Sequence, residues 1–250
     1  RGLGDVYKRQ EFAAYLSTEA GLRNGSIWAN CMWLKGVVMK AHYNGLIPRN
    51  PFIQFHISPN VKEREYLTED ELKAVMTHEF ADSKLAYIRD IFIFASFTAL
   101  SFVDIQELTN DNIVEVNGEK WILSKRHKTK VAFQVKLLDI PLQIVERYRP
   151  MQKDNRIFPG LNYWSICKPL KRMIRECGIT KSISFHCSRH GFATLALSKG
   201  MPIESVSRVL GHTNIVTTQL YAKITTQKLD NDLTMFGDKL SKTFNGITMS

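Results

Sequence analysis

The chain has 250 residues, 34 Lys and Arg against 24 Asp and Glu, a formal net charge of +10 and a sequence pI of about 9.4. That length allows one large domain or two small ones. The charge favours a polyanionic partner, nucleic acid before a membrane surface, because no basic amphipathic helix stands apart. The apolar run Ile91 to Leu100 is too short to span a bilayer, there is no secretory signal, and Cys31, Cys167, Cys177 and Cys187 lack CxxC spacing; a cytoplasmic protein with reduced thiols, and neither disulfide frame nor zinc site, is expected.

Residues 1–10 do not fit the rest of the chain. GDVYKRQ resembles the translated end of a sequencing-library adapter, so these residues are expected to be non-native and the natural chain to begin further upstream. From Glu11 to Phe52 the pattern is helical: Phe12, Tyr15 and Leu16 form a short stripe. After Gly25, Ser26 is placed to cap a longer helix carrying Trp28, Cys31, Met32, Leu34, Val37 and Val38. Arg23, Lys35 and Lys40 are the cations of this segment that could reach DNA. Gly45, Pro48 and Pro51 end it, and the polar residues 56–65, with Pro59 and Asn60, read as a linker.

Beyond the linker, Thr68 and Glu71 form the Ser/Thr-x-x-Glu pattern of a helix start, and Leu85 to Leu100 predicts the most buried helix. Val114–Val116, Asn117-Gly118 and Lys120–Leu123 predict a hairpin on a type I′ turn, followed by a third strand in which Val131, Phe133, Val135 and Leu137 alternate with polar residues. A basic tip, Lys125 to Lys130, joins the second and third strands; if extended, it sets Arg126 and Lys128 on one face. Pro141 opens a helix through Tyr148. Residues 164–177 predict another, whose Lys168, Lys171, Arg172 and Arg175 suit either backbone phosphates or a solvated face.

The densest chemistry lies between Ser184 and Lys223. His186 and Arg189 are one helical turn apart, Gly200 and Pro202 separate that helix from the next, Gly211 ends the second, and His212 follows it. A third helix from about Thr213 would present Tyr221 near its end. A guanidinium fork matches two phosphate oxygens, an imidazole can donate to the same oxygens, and a phenol oxygen can attack phosphorus. No acidic cluster for a metal accompanies them. The set suggests phosphoryl transfer by a tyrosine without a cation. Taken singly, the HxxR pair could be a surface pair, His212 a cap, Tyr221 a core residue, and the helices about Gly211 a helix-turn-helix reader.

HCSRHGFAT followed by LGHTNIVTTQLYA resembles the signature of tyrosine recombinases, the phage-integrase family, especially integrases of conjugative transposons and other mobile elements. The resemblance implies a mainly α (α+β) catalytic domain at 66–250, with a small antiparallel sheet and a tail from 222. It further implies that 11–55, closing on GLIPRNPF, is part of an all-helical SAM-like core-binding domain. Tyr221 would be the nucleophile forming a 3′-phosphotyrosine, Arg189 and His212 would bind the scissile phosphate, and His186 would handle the tyrosine's proton. Lys128 on the β-turn would protonate the leaving 5′-oxygen, and Arg23, Lys35, Lys40, Lys125, Lys130 and Arg172 would contact DNA. The implied partners are double-stranded attachment sites, three further copies of the chain on two duplexes, and accessory DNA-bending proteins; no cofactor is implied.

The chain departs from the pattern at TALS, residues 98–101. Most members read TGLR there, so Ser101 stands at the first catalytic arginine, as in integrases of conjugative transposons. Losing one such donor costs about a hundredfold to a thousandfold in rate. Arg126 is the expected substitute. A binding-only regulator that has lost activity and a type IB topoisomerase-like enzyme are the alternatives.

Overall fold

The structure, a computed structural model, describes residues 6–52, 58, 65–128, 130–152, 154–222 and 226–243. The chain divides into two compact units, Arg1–Glu63 and Arg64–Ser250. Most of the expected linker, and Thr129 in the basic tip, lie outside the described residues.

In the first unit, α1 (Val6–Thr18) and α2 (Asn24–Tyr43) bury Leu16, Ile27 and Cys31 against Phe12, Ala13 and Leu22. Four expectations change. Helix α1 starts inside the first ten residues. Tyr15 faces out rather than sharing the stripe with Leu16. Ser26 lies inside α2, because its own N–H already bonds the Arg23 carbonyl (2.8 Å), which starts the helix one turn before the expected cap. Met32, Trp33 and Val37 are exposed, so the buried stripe of α2 narrows to Ile27, Cys31 and Val38. Arg23 and Lys40 are exposed and Lys35 is half-buried.

The second unit opens on α3 (Glu69–Thr77), capped by the expected exchange. The Thr68 hydroxyl accepts the Glu71 N–H (3.3 Å), and the Glu71 carboxylate accepts the Thr68 N–H (2.7 Å). Helix α4 (Ser83–Thr98) is apolar nearly all round, as a central helix must be. It is followed by the short α5 (Phe102–Gln106) and by strands β1 (Ile113–Val116), β2 (Glu119–Lys125) and β3 (Ala132–Lys136). Then come α6 (Asp139–Tyr148), α7 (Tyr163–Glu176), α8 (His186–Ser198), α9 (Ile203–Leu210), α10 (Val216–Gln219) and α11 (Thr226–Thr243). Helices α6, α7 and α8 pack around α4. Its buried Asp90 accepts from Arg147 (2.6 Å) and Tyr148 (2.8 Å) of α6.

The strands form one antiparallel sheet in the order β1-β2-β3. Asn117 and Gly118 both take left-handed backbone, φ 54° and 76°, as a type I′ turn requires. Ile122, Phe133 and Val135 point into the core. The result is a mainly helical α+β unit with a small antiparallel sheet. The third helix expected from Thr213 shrinks to the four residues of α10, because the Asn214 side chain accepts the Val216 N–H (2.9 Å) and holds the preceding residues in a turn. Tyr221 therefore lies beyond a helix rather than at the end of one. Among the described residues, no helix is long and apolar enough to cross a membrane.

Candidate active site

The turn at the end of α9 fixes one wall of the site. Gly211 takes φ 62°; its N–H bonds the Arg208 carbonyl (3.0 Å), and the His212 N–H reaches back to the Ser207 carbonyl (3.1 Å). This is a Schellman stop, and it places His212 by backbone rather than by side-chain packing. The Val209 and Leu210 carbonyls at this helix end lack helical donors. Both are taken by arginines. Arg126 Nη2 donates to the Val209 carbonyl at 2.6 Å, and Arg189 Nη2 donates to that of Leu210.

Arg189 also donates through Nη1 to the carbonyl of Ala99 (2.8 Å), the left-handed residue that ends α4, φ 56°. One guanidinium thus ties the ends of α4 and α9 together. Its side chain is buried in the site rather than exposed on α8, with 8 % of the residue accessible. His186, one turn earlier, is exposed.

The basic tip does not behave as an extended segment. The Lys130 N–H closes onto the Arg126 carbonyl (2.8 Å), so the segment is a turn and the period-two rule fails. Arg126 folds inward with 5 % of the residue accessible, while Lys128 stays exposed; they do not share a face. Lys125 and Lys130 are exposed beside them. The Arg126 guanidinium stacks on Phe133, 4.1 Å from the ring centroid, and its Nη1 donates to Asp104 Oδ2 at 2.7 Å. That same oxygen accepts the hydroxyl of Ser101 (2.8 Å). The other Asp104 oxygen accepts the His127 N–H (3.0 Å). Ser101 thus caps α5, and a guanidinium is delivered beside it from the sheet.

Electrostatics follow from this packing. Burial pushes the Asp104 carboxyl up, but the His127 N–H, the Arg126 guanidinium and the Ser101 hydroxyl outweigh it and hold the carboxyl below its ordinary value. Burial pulls Arg126 down, and Asp104 offsets part of that pull. Burial, together with the charge of Arg126, lowers Arg189 to about 10. A guanidinium keeps its charge at neutral pH, so both arginines are cationic; Asp104 bonds Arg126, and its charge also acts on Arg189. Burial, then Arg189, Arg126 and His186, push His212 down to about 4, so its ring is neutral. The Thr218 hydroxyl lies 2.9 Å from Nδ1 of His212. With that hydroxyl donating, the ring keeps its proton on Nε2, a donor for an anion.

Tyr221 packs partly on the cluster of Ala99, Ala193, Leu197, Val206 and Leu210, near enough to Arg189 for the two charges to interact. Its ring meets that of His190 edge-to-face at 4.9 Å, and His190 meets His186 at 5.0 Å. The structure therefore brings together Arg126, Arg189, His186, His212 and Tyr221, and leaves Lys128 on the exposed tip. Arg172 is bound to Glu176 (2.8 Å) and Asp82 (3.3 Å). The sequence reading missed Asp104, Thr218 and His190. Asp104 had a signal, since Ser101-x-x-Asp104 is a capping pattern. His190 had one too, being one turn from His186 and next to Arg189. Two buried cations, a neutral imidazole donor and a phenol at one place suit an anionic phosphodiester and its attack by oxygen. Among the described residues, no cluster of His, Cys, Asp and Glu could hold a metal ion.

Residues 65–228 match the family model described as the phage integrase family. The tyrosine recombinase XerC of Lactobacillus leichmannii is 25% identical over 241 residues, 90% of this chain and 81% of that protein. The tyrosine recombinase XerA of Pyrococcus horikoshii is 32% identical over 177 residues, 65% of this chain and 58% of that protein. Among solved structures, the Tn1549 transposon integrase in complex with a circular intermediate DNA shares the fold. Its TM-score is 0.79 at 18% identity, over 93% of this chain and 86% of that one.

Proposed function

The chain belongs to the phage integrase family and is a tyrosine-type site-specific DNA recombinase; we propose that it cuts and rejoins DNA with Tyr221 as nucleophile, integrating or excising a mobile element. Tyr221 Oη bonds to the scissile phosphorus as the bond to the 5′-oxygen breaks, leaving a 3′-phosphotyrosine. Arg189, Arg126 and the Nε2–H of His212 offset the charge gained by the non-bridging oxygens. Exposed His186 takes the phenol proton, and Lys128 on the tip gives a proton to the departing 5′-oxygen, a general-acid role worth about a hundredfold to ten-thousandfold. A 5′-hydroxyl from a second duplex then reverses the step and resolves the intermediate, so the bond energy is conserved without ATP.

The observation that carries this reading is the presence beside Tyr221 of two buried guanidiniums, of which only Arg126 is bonded to a carboxylate among the described residues. It also supports Arg126 as the substitute for the arginine missing at Ser101, because both side chains bind the same oxygen of Asp104. That placement disfavours a regulator crippled by Ser101. The exposed cations Arg23 and Lys40, with Lys35, make residues 11–55 a second grip on the duplex. The exposed row Leu229, Leu233, Phe236 and Leu240 of α11 suits assembly of four protomers on two duplexes; accessory DNA-bending proteins and a cytoplasmic setting complete the proposal.

A nicked suicide duplex bearing the attachment site tests the proposal. Wild type is expected to form a covalent protein–DNA adduct stable on a denaturing gel, and Tyr221→Phe none. Arg126→Ala is expected to slow adduct formation by about a hundredfold to a thousandfold. An adduct with Tyr221→Phe would reject the nucleophile. Cleavage untouched in Arg126→Ala but abolished in Lys128→Ala would reject the substitute arginine.

A further inference from the structure

We propose that His190 is a positioning residue for the nucleophile, its ring setting the attitude of the Tyr221 phenol relative to the phosphate site. This rests on the reading of Tyr221 as nucleophile.

Tyr221 has little regular backbone to hold it. It follows α10, four residues long, and its N–H bonds the Thr218 carbonyl at 3.0 Å. Its side chain must then be fixed by contacts. On one side lies the apolar cluster around Ala193 and Leu210. A greasy surface gives area but no direction. A directional contact is made with His190, whose ring stands at 72° to the phenol at a centroid distance of 4.9 Å. An edge-to-face pair has a preferred geometry, because a positive ring edge meets a negative ring face. It acts on both torsions of the tyrosine. As a wall it limits the swing about χ1, which carries Oη. Its interplanar angle sets χ2, otherwise a broad two-fold torsion, and so the plane holding the phenol's proton and in-plane lone pair.

His190 is suited to this task by what it sits on. It is half-buried in the first half of α8, where the backbone is fully helical. The preceding residue is Arg189, anchored on the carbonyls of Ala99 and Leu210. One turn earlier is His186, whose ring meets that of His190 at 5.0 Å and 77°. A single rigid helix thus holds the proposed phosphate clamp, the proton acceptor and the wall against which the nucleophile rests. The distance from attacking oxygen to phosphorus is set by neighbouring residues of one element rather than by a loop alone. Misplacing a reacting group by about 1 Å can cost on the order of a hundredfold.

The test separates ring from imidazole chemistry. His190→Phe keeps a ring and loses both nitrogens; His190→Gln keeps hydrogen bonding and loses the ring. Each is compared with wild type and Tyr221→Phe for DNA affinity by gel shift, and for single-turnover cleavage of the suicide duplex at saturating protein. Affinity is expected to stay within about threefold for both. Cleavage is expected to fall on the order of tenfold to a hundredfold in His190→Gln and to return to within about threefold of wild type in His190→Phe. Equal cleavage by all three His190 forms, or a His190→Phe no better than His190→Gln, would overturn the proposal. So would a loss of affinity or folding that matches the loss of rate. An adduct formed by Tyr221→Phe would instead remove the nucleophile assignment, a separate failure.

Discussion

Asp104 gathers one buried cation and two neutral donors. Its carboxylate meets Arg126 at 2.7 Å, the Ser101 hydroxyl at 2.8 Å and the His127 N–H at 3.0 Å, with both partners of the ion pair almost wholly buried. A buried pair of this kind adds little net stability, but removing one partner leaves the other charge stranded. Asp104→Asn is therefore expected to lower the free energy of unfolding by about 3–5 kcal/mol, read from a urea titration. In the double variant with Arg126→Met, both charges go and the gap is filled. Stability should recover most of the loss, while cleavage should not. Recovery of cleavage together with stability would mean that Arg126 serves only the fold.

At the scale of elements, two helix ends allow a controlled comparison. Helices α8 and α9 both close on a left-handed glycine, Gly200 at φ 88° and Gly211 at φ 62°, with the same pair of return hydrogen bonds. A Cβ at Gly200 would meet nothing within 4 Å; at Gly211 it would sit 2.8 Å from Nε and 3.0 Å from Cγ of Arg126. An L side chain in this backbone costs about 1–2 kcal/mol, so both alanine variants should lose similar stability from strain. Only Gly211→Ala should also displace the guanidinium and cut cleavage to the level of Arg126→Ala, measured on the suicide duplex at a temperature where both variants are folded. Equal cleavage by the two would detach Gly211 from Arg126. Both stops were legible in the sequence, because Gly200 and Gly211 each follow an apolar period. So was the hairpin, from Asn117-Gly118 between alternating strands. The local geometry of Arg126 was not: it was expected to replace the arginine absent at Ser101, but an extended tip put it on one face with Lys128, and only the turn closed by Lys130, with Phe133 beneath, sends it inward alone. Asp104 and His190 were overlooked differently, Asp104 three residues past Ser101 in a capping pattern and His190 directly after Arg189, each near a residue already given a role.

For the whole molecule the governing quantity is the +10 charge and where it meets DNA. Each phosphate neutralised releases counterions, so the logarithm of the binding constant falls with the logarithm of salt by about 0.9 per contact. On the proposed mechanism, buried Arg126 and Arg189 serve one scissile phosphate and contribute little to that slope. The exposed cations must supply most of it. On α7, Lys168, Lys171 and Arg175 fall on one face, i, i+3 and i+7, and line a groove with Arg172. Arg172 differs, since its charge is already met by Glu176 at 2.8 Å and Asp82 at 3.3 Å. Replacing Lys168, Lys171 and Arg175 together with glutamine is expected to reduce the slope by about 2.7, or 0.9 for each cation. Arg172→Gln should reduce it by much less than 0.9, the value for one whole contact, and Tyr221→Phe should leave it unchanged. Filter binding across a potassium chloride series reads all three. An unchanged slope in the triple variant would make the row a solvated face, the second of the two readings the sequence allows. A full unit lost with Arg172 would mean that DNA competes Glu176 and Asp82 away.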